Sequence, residues 1–169
     1  MPKRKPAKKS FIKNIKIFYF SIFKHENFST IDYVNDIGLI ILSDEIKLNN
    51  FTQIACLPSK STTYPPVNSS SYAAGWGTTT FLSSATPNTL RNVKLTIYDS
   101  SACKGVAFED ITDWSGLVCA GELAGGKDTC QGDSGTPLFV GDTINGKFKY
   151  VVAGITSYGI GCGFVDEPG

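Results

Sequence analysis

One serine stands among residues small enough to leave it open, in the stretch Gly126-Lys127-Asp128-Thr129-Cys130-Gln131-Gly132-Asp133-Ser134-Gly135-Thr136-Pro137-Leu138. Glycines on either side let a carbonyl substrate approach the backbone. The amides of Gly132 and Ser134 can then aim at the oxygen that becomes negative in a tetrahedral intermediate. Losing one such donor costs about 3–4 kcal/mol of transition-state stabilisation. A second candidate is Asp36, the acid that opens the run Asp36-Ile37-Gly38-Leu39-Ile40-Ile41-Leu42. The base for such a serine is most often a histidine, and the chain has one, His25. Singly, these features have ordinary explanations: Gly-Asp-Ser-Gly is often a turn, and an Asp before an apolar run is often a strand cap.

The elements that would position these groups read as strands. Residues 36–42 form a nearly continuous apolar run, the pattern of a strand covered on both faces. Residues 56–71 are rich in Pro, Ser and Thr and read as a linker between two packing units. Beyond it, strands are expected over 72–76, 93–98, 116–120, 137–140 and 147–155, a short spacing that favours a barrel or sandwich. Asn145-Gly146 is a hairpin signal, because both residue types tolerate positive φ. No long helical stripe competes.

The net charge of +1 hides a split. Lys3, Arg4, Lys5, Lys8, Lys9, Lys13, Lys16 and Lys24 are half of the 16 basic residues, and the first 24 residues hold no acid. The rest is net −7, which argues against a nucleic-acid-binding body. The apolar stretch 15–23 has two readings, the core of a secretory signal or a strand of the fold. It is too short to span a bilayer and no Ala-x-Ala-like cleavage site follows, so the strand is preferred. Five cysteines, Cys56, Cys103, Cys119, Cys130 and Cys162, include no C-x-x-C pair. They point to disulfides in an oxidising compartment rather than to metal, with one left unpaired. Asn27, Asn50 and Asn68 each head an N-x-S/T triplet, which fits secretion and is also frequent by chance.

The serine stretch resembles the active-serine motif of the chymotrypsin and trypsin family of serine proteases, the family behind the general account of the catalytic triad. Other segments agree with it in order. Asn35-Asp36-Ile37-Gly38-Leu39-Ile40 resembles the segment carrying the buried catalytic Asp, Ala55-Cys56-Leu57-Pro58 the inter-barrel linker, and Gly75-Trp76-Gly77 the start of the second barrel. Val118-Cys119-Ala120-Gly121 and Ser157-Tyr158-Gly159-Ile160-Gly161-Cys162 complete the series. The resemblance covers residues 25–169 and implies an all-β fold, the trypsin-like double Greek-key β-barrel. The expected division is a non-matching segment 1–24, a remnant of the first barrel over 25–55, the linker 56–71, and a second barrel over 72–169.

By that resemblance Ser134 is the nucleophile, Asp36 orients the imidazole, and Gly132 with Ser134 forms the oxyanion hole. Asp128 lies at the base of the specificity pocket, with Thr129, Gln131, Ser157, Tyr158, Gly159 and Gly169 as further substrate-binding residues. Glycines at the wall positions 159 and 169 keep the pocket open, and a buried carboxylate selects Arg or Lys side chains by charge-assisted hydrogen bonds. The implied partners are polypeptides cleaved after basic residues, together with protein inhibitors. No metal or organic cofactor is implied, because acyl transfer by a triad needs neither. The resemblance also pairs Cys103 with Cys119 and Cys130 with Cys162, the first bridge worth about 3 kcal/mol in the chain-entropy model. A third family bridge would need cysteines at Ser71 and Val140, and Cys56 matches a cysteine that tethers the propeptide in some relatives. Asp133 has two readings, acceptor of a new N-terminal ammonium after zymogen cleavage or an unpaired turn acid.

The pattern fails at one essential place. His25-Glu26-Asn27-Phe28 resembles a surface segment shortly before the Asp motif rather than the family's base, and residues 1–24 hold neither His nor Cys. The family also continues past position 169 into a strand and a helix, and two-barrel enzymes usually need roughly 200–250 residues. The expectation is therefore a secreted protease truncated at both ends and catalytically silent as written. The competing readings are a non-catalytic homologue that binds partners, and a basic-headed adaptor resting on residues 1–24 alone. Thr136 replaces a second glycine of the motif and would crowd the loop if positive φ were needed there. Tyr158 replaces the usual Trp and keeps an aromatic wall.

Overall fold

Apolar residues spaced two apart dominate the second half of the chain, and the computed structural model turns that alternation into one antiparallel sheet. The structure describes residues 5–6, 19–31, 33–58, 65–104 and 114–169. Its strands are β1 (Lys5–Pro6), β2 (Tyr19–Lys24), β3 (Gly38–Leu42), β4 (Ser70–Gly75), β5 (Arg91–Tyr98), β6 (Cys119–Gly121), β7 (Pro137–Ile144) and β8 (Lys147–Ile155). The larger sheet runs β1-β5-β4-β7-β8, with β6 on β5, while β2 and β3 form a separate two-stranded sheet. A nearly all-β, antiparallel architecture is what the sequence implied. Pro6 sits on an outer strand, where its missing N–H costs no central ladder bond.

Burial follows the pleat. Ser71, Ala73 and Gly75 of β4 and Val93, Leu95 and Ile97 of β5 turn inward, while the residues between them are less buried. With Ala120, Leu138 and Val140 they make the core, against which Val118 and Ala153 pack. Each fully buried Val, Leu or Ile contributes about 1.5–3 kcal/mol. The 147–155 strand falls on its expected bounds. The 137–140 strand extends to residue 144, because Asn145 (φ 51) and Gly146 (φ 72) close a tight turn that keeps both arms paired. The 72–76 strand begins at 70 and excludes Trp76, and the 116–120 strand starts only at Cys119. Asp99 ends β5 and caps the short 3₁₀ turn Ser100–Ala102. Its side chain accepts the Ser101 N–H at 3.0 Å, a bond that holds the carboxyl below its usual range.

The first sheet is far more exposed than the second. The run at 36–42 reads as a strand covered on both faces, yet β3 is exposed along most of its length. Among the described residues it pairs with β2, in register Ile22↔Ile40 and Lys24↔Gly38, and β2 is itself largely exposed, with Phe20 80% accessible. Continuous apolarity signals a need for burial on two faces, and a two-stranded ribbon supplies cover on neither. Residues 19–23 of the 15–23 stretch lie in or beside a strand as preferred; residues 15–18 fall outside the described residues, as do 59–64 of the linker.

Both implied disulfides are present, Cys103–Cys119 and Cys130–Cys162, and Cys56 is free. The positions expected for a third bridge, Ser71 and Val140, are direct cross-strand partners of β4 and β7 and are both buried, at 0% and 2% exposure. The double variant Ser71→Cys/Val140→Cys is therefore expected to oxidise without rearrangement. Titration of thiols in the unfolded chain should find only Cys56 reactive; two additional thiols would show that the strands do not hold this register.

Candidate active site

The turn after β6 and the approach to β7 carry the serine. Gly132 (φ 93) and Gly135 (φ 79) take left-handed conformations that bracket an exposed Ser134, and only glycine adopts these without strain. Thr136 does not lie at positive φ, so the backbone condition under which its β-branched side chain would crowd the loop is not met. Its Oγ1 lies 3.2 Å from Thr156 Oγ1. Two backbone bonds, Gly135 N–H to Thr156 O at 2.8 Å and Thr156 N–H to Thr136 O at 2.9 Å, tie the serine turn to the end of β8.

The next residue of that wall reaches the first sheet. Ser157 Oγ donates to Asp36 Oδ2 at 2.6 Å, across 121 residues of sequence, and Tyr33 packs on Tyr158 with ring centroids 5.4 Å apart. Asp36 is thus bonded to Ser157, the residue after the Thr156 that accepts from Gly135. Asp36 itself is exposed rather than buried as expected, because the two-stranded first sheet does not cover it. His25 donates its backbone N–H to Ile37 O at 3.1 Å, and its Nδ1 accepts the N–H of Asn27 at 3.2 Å. It lines a cavity of about 430 Å³ together with Asp36, Thr129, Ser157, Tyr158, Gly159 and Gly169. Leu95, Leu138 and Val118 form its apolar floor; Gly132 and Ser134 are not among its lining residues.

Asp128 lies behind Thr129, 8% exposed, and both its carboxylate oxygens are held by backbone: Oδ1 by Thr129 N–H at 2.7 Å and Oδ2 by Gly163 N–H at 2.8 Å. It does not line the cavity, whereas Thr129 does. The two wall glycines face each other closely, since a Cβ on Gly159 would meet Gly169 Cα at 3.2 Å. Gln131 is exposed, and its Oε1 rests 3.1 Å and 3.4 Å from the sulfurs of Cys130 and Cys162.

Asp133 is neither loose nor exposed. At 2% accessibility its Oδ1 accepts Gly77 N–H at 2.8 Å and its Oδ2 accepts Cys130 N–H at 2.9 Å, which corrects the turn-acid reading. A carboxylate with two amide donors is held by charge-assisted bonds of about 1.5–3 kcal/mol each. The fit is tight, because a Cβ at Gly75 would overlap the Asp133 carboxylate. Gly75→Ala is expected to lower stability by about 3–5 kcal/mol, from overpacking and displaced hydrogen bonds together. A urea midpoint equal to that of the parent would mean that the carboxylate shifts without loss.

Sequence reasoning missed Gly163, Thr156 and Tyr33, whose partners lie 35, 20 and 125 residues away in the chain. No local spacing marks such residues.

The site region thus holds an exposed serine turn bracketed by two glycines, an acid from the segment before β3 bonded to Ser157, and two disulfides in the surrounding loops. The Trypsin family model matches residues 6–169, upstream of the first motif legible in the sequence. The chain is 37% identical over 148 residues to "Serine protease 1" of Rattus norvegicus, covering 88% of this chain and 55% of that protein. To "Trypsin-3" of Salmo salar it is 35% identical over 159 residues, covering 94% and 59%. To "Transmembrane protease serine 11G" of Rattus norvegicus it is 34% identical over 149 residues, covering 88% and 34%. The chain spans from about a third to under two thirds of the length of these relatives. It belongs to the trypsin family of serine proteases.

Proposed function

We propose that this chain is part of a secreted serine endopeptidase that cleaves after Arg or Lys through an acyl-enzyme. Ser134 is its nucleophile, Asp36 the orienting acid, and the amides of Gly132 and Ser134 the oxyanion donors. The observation that carries the reading is the short path from Ser134 through Gly135 and Thr156 to Ser157 and Asp36, each step a hydrogen bond of 2.6–2.8 Å or a peptide link. The acid is thereby set beside the strip that holds the nucleophile turn. Asp128, held by two amides behind Thr129, supplies the negative charge for a basic side chain. Two disulfides fit an extracellular setting. No helix among the described residues is long and apolar enough to cross a membrane. Protein inhibitors that present a basic residue are the expected partners besides substrate.

In this reading His25, whose Nδ1 is engaged by Asn27, is not the catalytic base. One observation favours a second reading, a binding protein without turnover: the single histidine has its Nδ1 occupied by Asn27 and lines the cavity on the Asp36 side. Hydrolysis of arginyl and phenylalanyl esters by this chain and by a form extended with its upstream coding sequence separates the two. Arginyl-selective turnover that disappears in Ser134→Ala supports the protease. No Ser134-dependent turnover in either form leaves the binding protein.

A further inference from the structure

The segment between β3 and the linker carries an unexplained combination: a tight turn with an N-x-T triplet at its tip, inside a strip of exposed apolar residues. Asn49 and Thr52 exchange both backbone bonds, Asn49 N–H to Thr52 O at 3.0 Å and Thr52 N–H to Asn49 O at 3.2 Å, so Asn50 and Phe51 form a two-residue tip. Asn49 builds the turn, since its Oδ1 accepts Phe51 N–H at 2.8 Å. Asn50 is exposed, does not lie at positive φ, and among the described residues its side chain serves no bond of the turn. Phe51 beside it is 79% accessible, and Leu48, Ile54 and Leu57 are exposed on the same segment.

We propose that Asn50 carries an N-linked oligosaccharide, an inference that rests on the secretory route proposed above. The triplet Asn50-Phe51-Thr52 has the acceptor pattern, and a bulky sugar suits an exposed two-residue turn tip. In the transfer, the Asn50 side-chain nitrogen attacks the anomeric carbon of an oligosaccharide held on a lipid pyrophosphate. The C–N bond forms as the C–O bond to pyrophosphate breaks; the lipid pyrophosphate leaves and the amide proton passes to a base of the transferase. The order of events follows from the turn. Thr52 Oγ1 is buried without a partner once the turn closes, so its hydroxyl is readable only before folding, and attachment is co-translational.

Of the other two triplets, the one at Asn68 has a conformational duty that favours asparagine, and the one at Asn27 is engaged through its backbone. Asn68 occupies a left-handed turn position (φ 65), which Asn adopts more readily than other side-chain-bearing residues. Asn27 has its backbone bound on both sides, to His25 Nδ1 and from Asn35 Nδ2, in the loop that reaches the cavity.

The test translates the full chain, preceded by a cleavable secretory leader, in the presence of microsomes, with leader removal proving entry. Sites are mapped by peptide-N-glycosidase release in heavy-oxygen water. The expected result is an enzyme-removable mass shift on the peptide containing Asn50, lost in Asn50→Gln and in Thr52→Ala and retained in Thr52→Ser. Addition of microsomes after folding should give no shift. An unmodified Asn50 in leader-processed chain, or sugar on Asn27 or Asn68 alone, overturns the proposal. The readout needs no catalysis and no stable fold, so it stands apart from the fate of the protease reading.

Discussion

The 169-residue chain is expected to turn over an arginyl ester about 10⁶-fold more slowly than the same chain joined to upstream residues that supply the base, the factor lost when the histidine of a triad is removed. The physical reason is that an unassisted hydroxyl keeps its proton at neutral pH and attacks carbonyl carbon poorly. Positioning of Ser134 by Gly132, Gly135 and the Thr156 bonds contributes only the oxyanion and binding terms, a residual of about 10³–10⁴ over water. Turnover should be measured for the chain, for its Ser134→Ala variant and for the extended form. Equal rates in the first two, with a Ser134-dependent gain in the third, would confirm the assignment. Ser134-dependent activity in the short chain that vanishes in His25→Ala would instead make His25 the base, which would require its ring to leave Asn27.

Asp128→Ser in the extended form is expected to reverse selectivity. Removing one partner of a desolvated charge pair costs about 2–5 kcal/mol, so kcat/KM for arginyl substrates should fall roughly 30- to 5,000-fold. Phenylalanyl substrates, which place no cation against the carboxylate, should be nearly unaffected. The loss should appear in kcat/KM for basic substrates only; a uniform loss across both classes would mean that Asp128 acts through the fold. That alternative has a definite structural basis, since its carboxylate already holds the amides of Thr129 and Gly163 in place.

What was legible in the sequence is what local physics dictates. The serine turn was readable because its glycines are contiguous with the residue they expose, and two of them do take positive φ. The Asn145-Gly146 hairpin and the strand 147–155 were readable because a turn type and a period-two pattern are set within a few residues. The half-cystine pairs were implied by resemblance, and the strands that hold Ser71 opposite Val140 agree with the same framework.

Other features were decided only by the tertiary structure. Asp36 meets Ser157 across 121 residues, and nothing near either one specifies the other. The positive φ considered at Thr136 falls instead on Gly135, which adopts it without strain, because the φ of a turn residue is set by which backbone groups the neighbouring strand offers, here those of Thr156. Asp133, ambiguous as a sequence, is an anchored carboxylate once Gly75 and Gly77 lie against it without side chains. The apolar run of β3 shows the division most plainly. Its composition determined that it should be a strand; the structure decided that, among the described residues, it pairs with β2, because no local pattern names the partner of a strand.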